Sequence, residues 1–236
     1  MSRKRKNGDR GDDISRIWTD WSQVYEELKC LGTDSNSLVK MAEEAFFTCP
    51  FMETYRTSTD IGSFQEVISN FIRSTIPCYN DVKYHTFEHA IHVLLNIRCL
   101  LSSIPTERIT PLEGFALLFS ALIHDLDHLG MPNATLVKLN HPYALTYNDL
   151  SVAEMRSISV AYGLFENENS NILIFLDTDQ KIKFRKIVIN VVLSTDIADV
   201  EKKYLFQSKV SRNCDEDVSS HRSNPNPTPD PNPTPT

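Results

Sequence analysis

Two short segments hold the residues whose types and spacing can do chemistry. The first is Tyr84-His85-Thr86-Phe87-Glu88-His89-Ala90, and the second is His124-Asp125-Leu126-Asp127-His128. The second sets two imidazoles and two carboxylates within five residues of an apolar run. Ionisable groups in such a setting are costly to bury without partners, and a metal ion supplies the compensation. His85 and His89 stand four apart, as do His124 and His128, so each pair shares one helix face. His124 and Asp125 diverge by about 100° around a helix and meet one ion only at its inner edge. Any one such pair is ordinary on a helix; both pairs together with Asp125 and Asp127 point to metal. Mixed imidazole and carboxylate ligation suits zinc, iron or manganese, and carboxylate with water suits magnesium. One carboxylate shared by two ions ~3.5–4 Å apart marks a hydrolytic site that lowers the pKa of bound water to about 7. Phosphate-ester hydrolysis uses that nucleophile, together with a proton donor for the leaving oxygen, a task for a histidine free of metal.

The elements that must position these residues read as helices. Apolar residues recur at three- and four-residue spacing from Ile14 to Leu28, Leu38 to Phe47 and Phe64 to Ile76. Phe87 to Ile104 is a helix ended by Pro105. Thr110-Pro111-Leu112-Glu113 offers an N-cap, a proline at the first position and an acidic first turn. The helix predicted behind it, from Leu112 to about Leu129, is apolar nearly all round and therefore buried, with Gly130 and Pro132 to stop it. Ser151 to Phe165 and Lys183 to Lys203 complete the set, with no sustained two-residue strand period. The predicted fold class is all-α. Residues 1–13 read as a disordered charged start, 14–207 as the domain, and 208–236 as a Pro/Asn/Thr-rich tail in which NPNPTPDPNPTPT has proline at every second position.

Composition narrows the function. The chain of 236 residues carries a net charge of −7, which leaves no electrostatic footprint for nucleic acid beyond the short terminal run Ser2 to Lys6. Five cysteines at 30, 49, 78, 99 and 214, with no C-x-x-C spacing, fit reduced thiols and a cytoplasmic location. No apolar run reaches the ~18–20 residues of a membrane span.

The motifs resemble those of the class I 3′,5′-cyclic-nucleotide phosphodiesterases, a branch of the HD-type phosphohydrolases. That family shows Tyr-His-Asn-x-x-His-Ala followed by His-Asp-x-Asp-His-x-Gly-x-x-Asn, matched here by Tyr84 to Ala90 and His124 to Asn133. Tyr147 to Glu154 looks like its Tyr-Asn-Asp-x-Ser-Val-x-Glu, and Arg185 to Val188 with Leu193 to Asp196 looks like a later helix. The resemblance implies a compact multi-helix domain that hydrolyses cAMP or cGMP to the 5′-monophosphate in signal transduction. It implies His85 as general acid, and His89, His124 and Asp125 as ligands of a first metal, zinc. Asp125 would also contact a second ion, magnesium or manganese, with His128 and Glu154 holding its waters. Tyr84, His85, His89 and Asp125 would meet the substrate, and intact relatives would form homodimers. Asp127, Asn133 and Asp196 match family positions with a structural reading as open as a functional one.

Departures from the pattern set further expectations. Thr86 stands where the family has Asn, and Arg156-Ser157 where it has His-His. No segment after Gln207 resembles the family's later Asp ligand or purine-binding residues, so the sequence reads as the N-terminal half of the domain, truncated. The alternatives are an inactive fragment acting only by binding, or an HD-type hydrolase of another phosphate ester. His92 reads as structural or as a neighbour of the ligands, and His141 as a surface residue.

Overall fold

The computed structural model describes residues 34–58 and 61–198. The predicted helix at 14–28, the expected boundaries at 13–14 and 207–208, Cys30, Cys214 and His221 lie outside the described residues. The chain forms two units, 1–196 and 197–236, and of the second only Ile197 and Ala198 are described.

Nine α-helices are seen among the described residues, with no strand. They are α1 (Ser35–Thr48), α2 (Glu53–Ser58), α3 (Ile61–Thr75), α4 (Phe87–Ser103), α5 (Pro111–Ile123), α6 (Asn133–Lys138), α7 (Pro142–Thr146), α8 (Val152–Gly163) and α9 (Thr178–Leu193). Helix α5 is the axis of the core, flanked by α4 and α9. Its start is fixed by a reciprocal capping box: the Glu113 N–H donates to the Thr110 hydroxyl at 3.3 Å, and the Thr110 N–H donates to the Glu113 carboxylate at 2.8 Å. Leu112, Phe115, Ala116, Leu118, Phe119, Leu122 and Ile123 are all buried, as an all-round apolar helix requires.

Aromatic rings tie the neighbours to that axis. Phe115 meets Phe46 of α1 and Phe184 of α9, with centroids at 6.5 and 5.1 Å. Phe119 meets Phe71 of α3 and Phe184, both at 5.3 Å. Such pairs contribute ~0.5–1.5 kcal/mol beyond the area they bury. Gly114 lies against Phe51: a Cβ there would fall 2.5 Å from the Phe51 Cβ. That absent methyl lets the Pro50–Met52 turn sit on α5.

Two predicted boundaries are corrected. Helix α5 ends at Ile123, six residues before the expected Leu129. The chain turns over 124–127 and Asp127 takes φ +58°, a left-handed conformation that Asp tolerates better than most residues. Leu126 continues the apolar spacing and is fully buried, but it does so from a turn. Helix α9 starts at Thr178, five residues before the expected Lys183, because Asp177 and Gln180 form a second capping box. It ends at Leu193, and 199–203 lie outside the described residues. The helices expected at Leu38–Phe47, Phe64–Ile76, Phe87–Ile104 and Ser151–Phe165 are present within a few residues.

Candidate metal centre

The site forms where the start of α4 meets the end of α5. Thr86 caps α4 by accepting the His89 N–H at 3.3 Å, which puts His89 in the first helical turn and leaves Tyr84 and His85 on the bend before it. At the end of α5, His124 and Asp125 sit on the turn that buried Leu126 anchors in the core. The Ser157 hydroxyl of α8 donates to the Leu126 carbonyl at 2.8 Å and holds the turn from beneath. His124 and His128 therefore approach the site from a turn, not from one helical face.

Two overlapping sets of ligand atoms result. In His89, His124 and Asp125, one atom from each lies within 4.8 Å of the other two; the same holds for His85, Asp125 and His128. Asp125 is common to both. His124 Nε2 is 3.1 Å and His89 Nε2 is 3.6 Å from Asp125 Oδ2. The His85 and His128 rings stack with centroids 3.6 Å apart. Tyr84 is 63% exposed, with its ring 4.4 Å from His89 and 5.2 Å from His85, so it stands on the solvent side of both.

The electrostatics call for a cation. His124 Nδ1 lies 3.0 Å from the Ala121 carbonyl. The N–H that bond requires leaves the Nε2 lone pair of a neutral ring facing Asp125. Asp125 Oδ2 is buried and accepts no hydrogen bond of good geometry. A lone pair and a carboxylate oxygen 3.1 Å apart repel unless a proton or metal lies between them. Burial opposes charge on both groups, yet their mutual contact outweighs it, holding His124 above the ordinary imidazole range and Asp125 below the carboxylate range. Burial and neighbouring rings keep His89 and His128 low, hence neutral; for His89 that is the form that binds metal. The donor set of imidazoles around one shared buried carboxylate fits divalent cations.

Other residues singled out from the sequence have distinct places. Glu154, in the first turn of α8, belongs to neither ligand set. Its carboxylate accepts from Asn133 Nδ2 at 2.8 Å, and the same amide lies 3.3 Å from Asp196 Oδ2. Burial pushes the Glu154 carboxyl up, Asp196 and Asp125 add to that, and Asn133 opposes it. Asn133 also caps α8 by accepting the Ala153 N–H at 2.9 Å. His92 is half-buried on α4 and joins neither set. His141, expected at the surface, is half-buried and caps α7 by accepting the Tyr143 N–H at 3.2 Å. Asn80 and Tyr143, which no motif marked, bond Asp127 on the ligand turn.

The model of the family described as 3′5′-cyclic nucleotide phosphodiesterase matches residues 84–226. The chain belongs to that family. Its relatives include the probable 3′,5′-cyclic-AMP phosphodiesterase pde-4 of Caenorhabditis elegans, 40% identical over 121 residues, covering 51% of this chain and 18% of that protein. They also include the 3′,5′-cyclic-AMP phosphodiesterase 4C of Mus musculus, 39% identical over 121 residues with the same coverage. Among solved structures, the phosphodiesterase domain of the RhoPDE fusion protein from the choanoflagellate Salpingoeca rosetta superposes with a TM-score of 0.69 at 30% identity, covering 77% of this chain and 56% of that one. The chain thus spans 18–23% of the length of these curated relatives and just over half of the solved domain. The expected family and all-α class agree with these matches.

Proposed function

We propose that this chain carries the metal site of an enzyme that hydrolyses a 3′,5′-cyclic nucleotide to the 5′-monophosphate. The observation that supports this most is Asp125, a buried carboxylate that closes the His89 and His124 set on one side and faces His85 and His128 on the other, where those two would meet a second ion's waters and the substrate. His89, His124 and Asp125 would hold the first ion, zinc. Asp125 would also touch a second, magnesium or manganese. Bound there, the two cations would supply a water of lowered pKa and positive charge for the phosphoryl group.

The side chains account for the rest. In the net reaction water adds to phosphorus, the P–O3′ bond breaks, and O3′ takes up a proton. His85 lies outside the first ligand set and donates that proton as general acid. His128 accepts the Gly130 N–H on Nδ1 at 3.0 Å, so the proton of its neutral ring is on Nε2. That is a donor to water or phosphate oxygen rather than a metal ligand. Glu154 would hold further water of a second ion, and Tyr84 would meet the nucleotide. The two mammalian and nematode relatives are named for cyclic AMP, which makes cAMP the first substrate to test, with cGMP beside it.

The partners follow from the same reading. A net charge of −7 suits a small-molecule substrate without nucleic acid. Among the described residues no helix is long and apolar enough to cross a membrane, and Cys49, Cys78 and Cys99 are free thiols, which supports a cytoplasmic location. The experiment is to supply the purified chain with zinc and magnesium or manganese, and follow conversion of cAMP and cGMP by phosphorus NMR. The expected result is 5′-monophosphate formation that a chelator stops and metal restores. Product formed equally in the presence of chelator would contradict the reading.

A further inference from the structure

The ligand turn after α5 is held in a conformation its own backbone does not favour. Asp127 takes φ +58°, a left-handed conformation that L-residues adopt only where the surroundings hold it. That turn brings His128 back over Asp125 and against His85. Its backbone supplies three bonds: the Leu126 N–H donates to the Ile123 carbonyl at 3.1 Å, the Asp127 N–H to the Cys78 carbonyl at 2.7 Å, and the His128 N–H to the Asp125 carbonyl at 3.1 Å.

The Asp127 carboxylate gathers three donors from outside the turn. Asn80 Nδ2 reaches Oδ1 at 3.1 Å, the Tyr143 hydroxyl of α7 reaches Oδ2 at 2.8 Å, and Arg156 Nε of α8 reaches Oδ2 at 2.7 Å. Asn80 also donates to the His128 carbonyl at 3.1 Å. Of the three, only Arg156 carries charge. Its guanidinium lies over the Tyr143 ring, 4.6 Å from the centroid, so the arginine orients the second donor as well. The pair is partly shielded, with the Arg156 and Asp127 side chains 32% and 21% exposed. Neither residue belongs to a ligand set.

We infer that Arg156 is a positioning residue: by pairing with Asp127 and stacking on Tyr143 it clamps the left-handed turn that places His128 against Asp125 and His85, and so sets the geometry of the second cation's site. The first set depends on it less. His124 is tied to α5 through Ala121, and His89 stands on α4, so neither is reached through Asp127. The inference rests on the two-cation reading above for its metal consequence, but not for its structural one.

Its test uses the full 236-residue chain and two readouts. In the first, no metal is added and amide hydrogen exchange is compared between wild type and Arg156→Met. The Asp127 and His128 amides should exchange about 10- to 100-fold faster, the cost typical of losing a charge-assisted bond, while the α5 amides keep wild-type protection. In the second, zinc-loaded chain is titrated with Mn²⁺ under electron paramagnetic resonance. The manganese Kd should rise about 10- to 100-fold, as for other outer partners of metal sites, with zinc affinity, which His89 and His124 also support, changing less. Arg156→Lys keeps the charge but loses the planar contact and should fall between the two; it carries the same test if Arg156→Met does not fold. Adding Asp127→Asn to Arg156→Met should cost less than Asp127→Asn costs in the wild-type chain, because the arginine's share acts through that carboxylate while Asn80 and Tyr143 hold theirs independently. Wild-type exchange in the turn, equal loss of protection throughout α5, or additive losses in the double variant would each overturn the inference. A wild-type chain that takes up zinc but no manganese would refute the two-cation reading instead, and the exchange measurement would still decide the role of Arg156.

Discussion

Replacing Gly114 by alanine probes the contact that seats α5. The new Cβ would stand 2.5 Å from Phe51 Cβ and 2.6 Å from Phe51 Cγ, about 0.9 Å inside ordinary contact, which begins at 3.4 Å. Phe51 Cβ is fixed by the backbone whatever the rotamer, and the side chain is 2% exposed, so backbone must move. Overpacking of this kind costs ~1–3 kcal/mol, and contact with root atoms puts it near the top of that range. Alanine returns up to ~1 kcal/mol of helix propensity, leaving a net loss of about 2 kcal/mol. In a domain of this size each kcal/mol is worth ~2–4 °C, so Tm should fall by about 4–8 °C. Gly163 is the control: nothing lies within 4 Å of a Cβ built there, and its φ is −64°. Gly163→Ala should raise stability by ~0.4–1 kcal/mol. Thermal unfolding of both variants followed by circular dichroism gives the answer. A Gly114→Ala chain as stable as wild type, beside a stabilised Gly163→Ala, would refute the packing of Phe51 on the helix that carries the ligand turn.

Two further outcomes are expected. His85→Ala should lower turnover by ~10²–10⁴-fold, the usual worth of a general acid, with bound zinc unchanged by elemental analysis; loss of zinc would make His85 a ligand. Hydrogen bonds from the Thr110 N–H and hydroxyl hold the Glu113 carboxyl below the ordinary glutamate value of 4.5. The stability they give is complete above about pH 4.5 and is lost as pH falls through the lowered value. Glu113→Gln should therefore flatten the acid limb of the Tm–pH curve, and an unchanged limb would count against the capping box.

The ligands could be read from the sequence because their spacing is local. His85 and His89 straddle one helix start, and His124, Asp125 and His128 lie within one turn. The turn itself could not. Leu126 and Leu129 extend the apolar period of α5, so periodicity carries the helix on to Leu129, while the left-handed Asp127 ends it at Ile123. The start of α9 was hidden for a related reason: its first turn is polar, and only the Asp177 and Gln180 cap marks it. Asn80, Tyr143 and Arg156 bond Asp127 from 47, 16 and 29 residues away, and contacts at such separations leave no spacing signal. Arg156 and Ser157 stood out only as departures from a family pattern; their partners, Asp127 and the Leu126 carbonyl, give those departures a physical sense.

If Asp125 is shared by two cations, both must lie against its carboxylate. Crystals of the chain grown with zinc and manganese, with anomalous diffraction recorded at both absorption edges, test it most directly. The expected maps show zinc among His89, His124 and Asp125 and a manganese ion on the other side of the same carboxylate, ~3.5–4 Å from the zinc. Two ions that share no carboxylate, or ions bound away from Asp125 altogether, would contradict it.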